Sequence, residues 1–549
     1  MEIKRIALLV LLVLNWGYPT ASHARVIEIF PSNADVACNE EFENVANTLV
    51  AGDTLVLHGG LYSQSCRRAI SGRNGTSLEP IVITAAPGEV PILTRPSDPH
   101  HSYDQNNIEI ENSSYLVIRG LKFRGGDSGV RFMGSSHHIT FEANEIYETG
   151  NNALTMHSGN SDSMIVRGNH IHHTGLYDLG STEGEGMYLG CHTNTCRVSN
   201  SLIEGNYIHH LRGSSSGGND GIEVKLGSYG NIVRDNVIHD TNIGTQYPCI
   251  FVYGGGASVN TVEGNAVWNC GEGIYAVSDA VVRNNIVIGS GSGISSYPHA
   301  VVPAVKDLTI VNNTIYASGE CLYLRWSNVI NVILANNAAY CPGTTAVDAV
   351  GLANAQVSAG NNYVEGSMSG AAIDSAKFFN GGSAGVAFVN PAASNLWPSA
   401  ASLLRDAAIL TYSPPLDFNS STRSNPTDVG AYDANGLASN PGWQIQEGFK
   451  GADGSTDTQS PTISITAPAN GASLRKNKIT MAAQASDNVG VTRVEFYVDN
   501  VLRCTDTAAP YRCSWSAPGG PSRTVRLDAK AYDAAGNVGS APSINITIR

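Results

Sequence analysis

Between Ile139 and Tyr340 short apolar runs alternate with polar steps in one recurring phrase. It appears as "ITFEANEIYET", "IVRGNHIHHT", "LIEGNYIHHL", "IVRDNVIHDT", "TVEGNAVWNC", "VVRNNIVIGS", "TIVNNTIYAS" and "VILANNAAY". An apolar pair precedes a polar-Asn step, and a second short apolar run follows. The recurring residues are Asn144, Asn169, Asn206, Asn236, Asn265, Asn285, Asn313 and Asn337, spaced by roughly 20 to 37 positions. Periods in this range mark solenoids, propellers or arrays. Irregular spacing, with no Trp-Asp or helical signature, predicts a parallel β-helix whose loops vary freely in length. Its coils stack at about 4.8 Å. An Asn at a fixed corner can bond its amide to the backbone of adjacent coils. Asn206, Asn236 and Asn265 are therefore expected on successive coils in a structural role.

The flanks extend this pattern. "EEFENVANTLVAGDTLVLHGGLY" predicts a short amphipathic helix and then a strand, a way to cover the open end of a solenoid. "PIVITAAPGEVPIL" reads as an early coil, and "LDFNSSTRSNPTDVGAYDANG" resembles the closing phrase of secreted β-helix domains. Residues 451–460, containing "GADGSTDTQ", form a linker by composition. Beyond them apolar and polar residues alternate between turn signals, the pattern of a β-sandwich. "DNVGVTRVEFYVDN" and "AYDAAGNVG" resemble bacterial immunoglobulin-like modules appended to secreted enzymes, which implies a spacer or attachment unit. The expected fold is all-β: a right-handed parallel β-helix over 25–450, then an immunoglobulin-like sandwich over 461–549.

Composition adds the compartment. The chain has 549 residues, room for two or three domains, with 58 glycines and 15% charged residues. "MEIKRIALLVLLVLNWGYPTASHA", residues 1–24, reads as a secretory signal with Lys4 and Arg5 as its basic start and Ser22-His23-Ala24 as its cleavage site. Its apolar run is short for a bilayer, and no later segment is long enough, so no membrane insertion is expected. Export suits the ten cysteines, paired by proximity as Cys38–Cys66, Cys191–Cys196, Cys249–Cys270, Cys321–Cys341 and Cys504–Cys513. The absence of any CxxC pair argues against zinc. The net charge of −14 excludes a nucleic-acid partner. It leaves room for an anionic sugar bound at a local basic site. The chain is expected to act as a monomer.

The strands before each Asn phrase align as "VRFM", "LTMH", "MYLG", "IEVK", "IFVY", "IYAV", "ISSY" and "LYLR". Their second and fourth residues should face away from the core. One outward column holds Arg131, Thr155, Tyr188, Glu223, Phe251, Tyr275, Ser295 and Tyr323; the other holds Met133, His157, Gly190, Lys225, Tyr253, Val277, Tyr297 and Arg325. Such an aromatic stripe suits an extended sugar chain. A loop-covered secondary core is the alternative for Tyr275 and Tyr323. Lys225 stands out mid-stripe, with Tyr188 one coil before it and long loops on either side. A lysine and a tyrosine facing a sugar groove suit β-elimination of a uronate polymer. Lys225 takes the C5 proton if its neighbours and partial desolvation lower its pKa. Tyr188 supplies the proton for O4. His157, His192 or an arginine such as Arg212 could neutralise the substrate carboxylate, and Glu223, Tyr253 and Tyr275 could line the groove.

The two-coil core "GEGMYLGCH" and "NDGIEVKLGSYGN" resembles the parallel β-helix alginate lyases of polysaccharide lyase family 31, over roughly 25–433. That resemblance implies Lys225 as base and Tyr188 as acid. Family 6, more distant, pairs its lysine with an arginine on the next coil and often uses calcium; here that position is Tyr253. No cofactor is expected to be required, and calcium is a candidate only through acidic residues without diagnostic spacing (Glu183, Glu185, Asp220). Three other readings stay open: a C5-epimerase, a glycoside hydrolase using Glu185, Asp220 and Glu223, and a non-catalytic glycan-binding solenoid.

Overall fold

The computed structural model describes residues 24–95, 105–177, 183–213, 218–241, 247–371, 373 and 376–451, and most of 460–549. The segment expected to be an export signal, except its last residue, and most of the linker lie outside the described residues. Among the described residues no helix is long and apolar enough to cross a membrane.

The solenoid is built from three ladders of short parallel strands. The first runs from Val26–Ile29 to Val357–Gly360 through thirteen strands. The second runs from Asp35–Val36 to Phe378–Asn380. The third includes Val130–Met133, Leu154–Ser158, Met187–Leu189, Ile222–Val224, Pro248–Val252, Glu272–Ala276, Ser292–Ser296 and Glu320–Arg325. Apolar residues point inward and stack on their equivalents, as Val130, Leu154, Met187, Ile222, Ile250, Ile274, Ile294 and Leu322 do along the third ladder. All are fully buried. The helix at the start, Glu41–Ala46, buries Phe42 and Ala46 against the first coils.

The asparagines form a continuous ladder at the corner between the first and second strand of each coil. The backbone N–H of Asn206 donates to Asn236 Oδ1 at 3.0 Å, and that of Asn236 to Asn265 Oδ1 at 3.0 Å. The Asn236 Nδ2 donates to Ile203 O at 3.0 Å on the previous coil. The same bonding runs from Asn144 through Asn337 and on to Asn362, one coil beyond the sequence pattern. The residue before each Asn turns the corner with positive φ: Gly205 at 60°, Asp235 at 55°, Asn284 at 53° and Asn312 at 52°. This explains the Gly-Asn, Asp-Asn and Asn-Asn pairs, because these residues tolerate the left-handed region.

Those corner residues have a second use. Residues 384–450 do not close the solenoid end. They fold back along its side, burying Phe418, Val429, Tyr432 and Trp443 against Tyr207, Val237, Ala266 and Ile286 of the second ladder. Asn284, Asn312, Asn336 and Asn361 each donate a side-chain bond to a carbonyl of this returning segment: Leu416, Asp428, Ile409 and Ala407. Asp235 meets Lys450 at 2.5 Å. The closing phrase thus acts as a lateral brace.

All ten cysteines are paired as the sequence suggests. Beyond the linker, two mainly antiparallel sheets of three and six strands enclose Val494, Phe496, Trp515 and Leu527. Cys504–Cys513 joins the strand Val501–Asp506 of one sheet to Arg512–Ser516 of the other.

Candidate active site

The third ladder sets the register of the site. Tyr188 on Met187–Leu189 lies directly beside Glu223 on Ile222–Val224, and Glu223 beside Phe251. Lys225 follows that strand, its backbone N–H donating to Leu189 O at 2.9 Å. Its stem passes Gly190, which has φ +102°; a Cβ there would lie 3.2 Å from the Lys225 Cβ. The Lys225 ammonium then turns back to form a short ion pair with Glu223 and sits 4.1 Å above the Tyr188 ring centre and 5.1 Å from that of Tyr253.

This pair is not a surface pair. Lys225 is 5% exposed and Glu223 2%. Burial alone would push the lysine down, but the Glu223 carboxylate beside it, helped by Tyr188, outweighs that and holds the ammonium above its ordinary value. The expectation of a lowered lysine is therefore corrected for the ligand-free protein: desolvation is present, but so is a counter-charge. Tyr188 is pushed up to about 12 by burial, an effect Lys225 only partly offsets, so it keeps its hydroxyl proton at neutral pH.

Beneath the pair lies an acidic knot. One oxygen from each of Glu185, Asp220 and Glu223 falls within 4.8 Å of the others. Glu185 Oε2, Asp220 Oδ1 and Glu223 Oε2 are buried without hydrogen-bond partners among the described residues. Burial, then the neighbouring carboxylates, push Glu185 and Asp220 well above the usual carboxylate range. Three orphaned carboxylate oxygens suit a hard cation such as calcium, which would complete its shell with water. All three carboxylates are buried, which disfavours a sugar entering between them as paired carboxylates of a hydrolase require.

A carboxyl with a folded pKa raised above its unfolded value stabilises the fold only in acid. That contribution is complete below the unfolded pKa and is lost as pH rises through the folded one. Asp220→Asn removes the ionisation, so its melting temperature should exceed wild type at pH 7–8 in chelator, with the gap closing toward pH 4. Thermal unfolding across pH tests this; a gap independent of pH would mean that Asp220 ionises freely in the folded state.

The surface above Lys225 carries imidazoles. His157 stands 5.3 Å from Tyr188, ring to ring, and burial, with Arg131 and Lys225 nearby, pushes it down to about 4. His192 is exposed on the Cys191–Cys196 loop, 5.9 Å from Tyr253. Sequence reasoning missed His299, 4.8 Å from Tyr253 and 6.0 Å from His192. Its only signal was its place just past the aligned "ISSY". Arg212 is not brought to this site; it is exposed on another turn, close enough to His173 to lower that imidazole. The arginine near His157 is Arg131, whose Nη2 donates to Ser158 Oγ at 2.5 Å.

The aromatic stripe also needs correction. Tyr253 and Tyr275 are 3% and 4% exposed and belong to the main core cluster. Phe251 stacks on Tyr253 at 4.0 Å and on Tyr275 at 4.3 Å, and Tyr275 on Tyr297 at 4.2 Å. They are packing beneath the surface rather than open platforms for sugar rings. Tyr188, Tyr297 and Tyr323 remain half-buried.

Residues 106–290 and 202–339 match the family model described as a right handed beta helix region, and 461–538 that of a bacterial Ig domain. No curated protein matches the chain significantly. Among solved structures the chain is similar to an alginate lyase from Paenibacillus sp. str. FPU-7, at 22% identity over 56% of this chain and 99% of that one, with a TM-score of 0.44. It is similar to the pectate lyase Pel9A at 14% identity, over 74% and 96%, with a TM-score of 0.42. A third likeness is to the A-module of the Azotobacter vinelandii mannuronan C-5 epimerase AlgE6, at 14% identity over 62% and 92%, with a TM-score of 0.42. The chain thus carries a right-handed parallel β-helix followed by a bacterial Ig domain.

Proposed function

We propose that this protein is an exported polysaccharide lyase that cleaves a uronate-containing polymer, alginate before others, by β-elimination. The observation that carries the reading is the Lys225 ammonium, buried against Glu223 and 4.1 Å above the ring of Tyr188. A lysine costs much to bury, and a purely structural position would be filled more stably by an apolar residue. The family 31 resemblance of the two coils holding these residues agrees. Five disulfides support export.

In this mechanism Lys225 first passes its proton to Glu223, whose own carboxyl burial pushes up. Neutral Nζ then takes the substrate C5 proton. The electron pair forms the C4–C5 double bond, the C4–O4 bond breaks, and the Tyr188 hydroxyl donates its proton to the departing O4. Arg131, His192 and His299 offer positive charge or N–H donors to the substrate carboxylate.

The test is incubation of the folded, exported protein with alginate, pectate and glucuronan, following the ultraviolet absorbance of the unsaturated product. Absorbance with one polymer supports the lyase and names its substrate. Altered C5 configuration by NMR without absorbance would replace it by the epimerase. No change in any polymer would overturn both.

A further inference from the structure

The "HIHHT", "YIHHL" and "VIHDT" phrases place a dense group of imidazoles on the second ladder, which the elimination chemistry does not use. One column reads Tyr147, His172, His209, His239 and Trp268 on successive coils. Neighbouring rings lie 4.5 to 5.4 Å apart and nearly parallel, so stacking accounts for this column. It does not account for His170, which sits in the adjacent column beside Glu145 and Tyr207. His170 Nε2 reaches across to His209 Nε2 at 2.8 Å. His172 Nε2 lies 3.2 Å from Glu145 Oε1. Ligand atoms of Glu145, His170 and His172 all fall within 4.8 Å of one another.

We propose that Glu145, His170 and His172 form a site for one divalent transition-metal ion, of the zinc or copper class, that joins two consecutive coils, with His209 bonded to His170 from the next coil. Imidazole and carboxylate donors select this class of ion over calcium, which prefers oxygen alone. The far nitrogen of His172 is already engaged, its Nδ1 meeting His173 Nδ1 at 2.8 Å. Such an outer bond fixes ring orientation and points the opposite nitrogen at the ion. The second Glu145 oxygen takes Lys122 at 2.6 Å. The group is half-buried, with the Phe449 ring 6.3 Å from that of His170, leaving it sheltered but reachable.

The experiment titrates Zn2+ into the full exported chain after chelator treatment, by calorimetry at pH 7.5. Thermal unfolding with and without the ion, and Cu2+ electron paramagnetic resonance, accompany it. One ion per chain is expected, with a melting temperature that rises with Zn2+ concentration and copper hyperfine structure from several nitrogens. The double variant His170→Gln/His172→Gln should bind Zn2+ at least tenfold more weakly and lose the thermal shift. Unchanged stoichiometric binding in that variant would overturn the site and move the ion to the other His–Asp group, His210, His239 and Asp240. Should the variant not fold, the wild-type copper spectrum decides: absence of nitrogen coupling overturns the proposal. No Zn2+ binding by wild type does so outright.

Discussion

Lys225→Ala is expected to lower turnover of the uronate polymer by about 10²- to 10⁴-fold, the usual loss when a general base is removed. Tyr188→Phe should fall in the same range, because it removes one hydroxyl from a side chain whose ring packing stays. The double variant should lose less than the product of the two, since groups acting in one step are not additive. Stability needs separate attention because the Lys225–Glu223 pair is buried. Removing one partner of such a pair costs about 3–5 kcal/mol when the remaining charge is stranded. Lys225→Met fills more of the space, and Lys225→Ala/Glu223→Gln removes the stranded charge. Steady-state kinetics beside urea unfolding separates the cases. A folded Lys225 variant with wild-type turnover would leave the pair a structural device and end the lyase assignment of these residues.

Asn236→Ala should cost about 3–5 kcal/mol of stability, although it removes only an amide. The Asn236 side chain accepts from the backbone N–H and the Nδ2 of Asn206, and donates to Ile203 O and Asn265 Oδ1. Deletion strands at least two buried backbone groups and one amide, at about 1–3 kcal/mol each, and partial relaxation recovers some of this. Denaturant unfolding of the isolated solenoid variant against wild type measures it. A loss below about 1 kcal/mol would mean that neighbouring coils re-bond around the gap and that the ladder is decorative.

Much of this was legible in the sequence because a solenoid writes its register as a repeat. The eight aligned strands take the same partners in space: Arg131, Thr155, Tyr188, Glu223, Phe251, Tyr275, Ser295 and Tyr323 are successive neighbours. One insertion is not visible in the repeat. The ladder slips between Arg131 and Met133, which pairs with Ser158 rather than His157. Alternation tells which side of a strand a residue leaves from, but not what covers it. The burial of Tyr253 and Tyr275 depends on the segment around Tyr297 and His299, from later coils, and no local pattern announces that. The same limit made Arg212 a candidate in place of Arg131, since proximity along the chain is not proximity across coils. The state of Lys225 is open in the sequence for a related reason: the strength of the Glu223 counter-charge depends on side-chain geometry that spacing does not fix.

The returning segment changes how such a molecule can come apart. A stack in which each coil meets only its neighbours frays from its ends, one repeat at a time. Here five corner residues, Asp235, Asn284, Asn312, Asn336 and Asn361, are tied to one continuous stretch of chain. Opening a terminal coil must first release that stretch, and releasing it uncovers Val237, Ala266 and Ile286 together. Its partners lie up to 215 positions away along the chain, so it docks only after the coils it spans have stacked. The brace therefore makes the C-terminal half of the solenoid a single foldon, slow to complete and reluctant to unravel, from a protein whose architecture alone would let it peel.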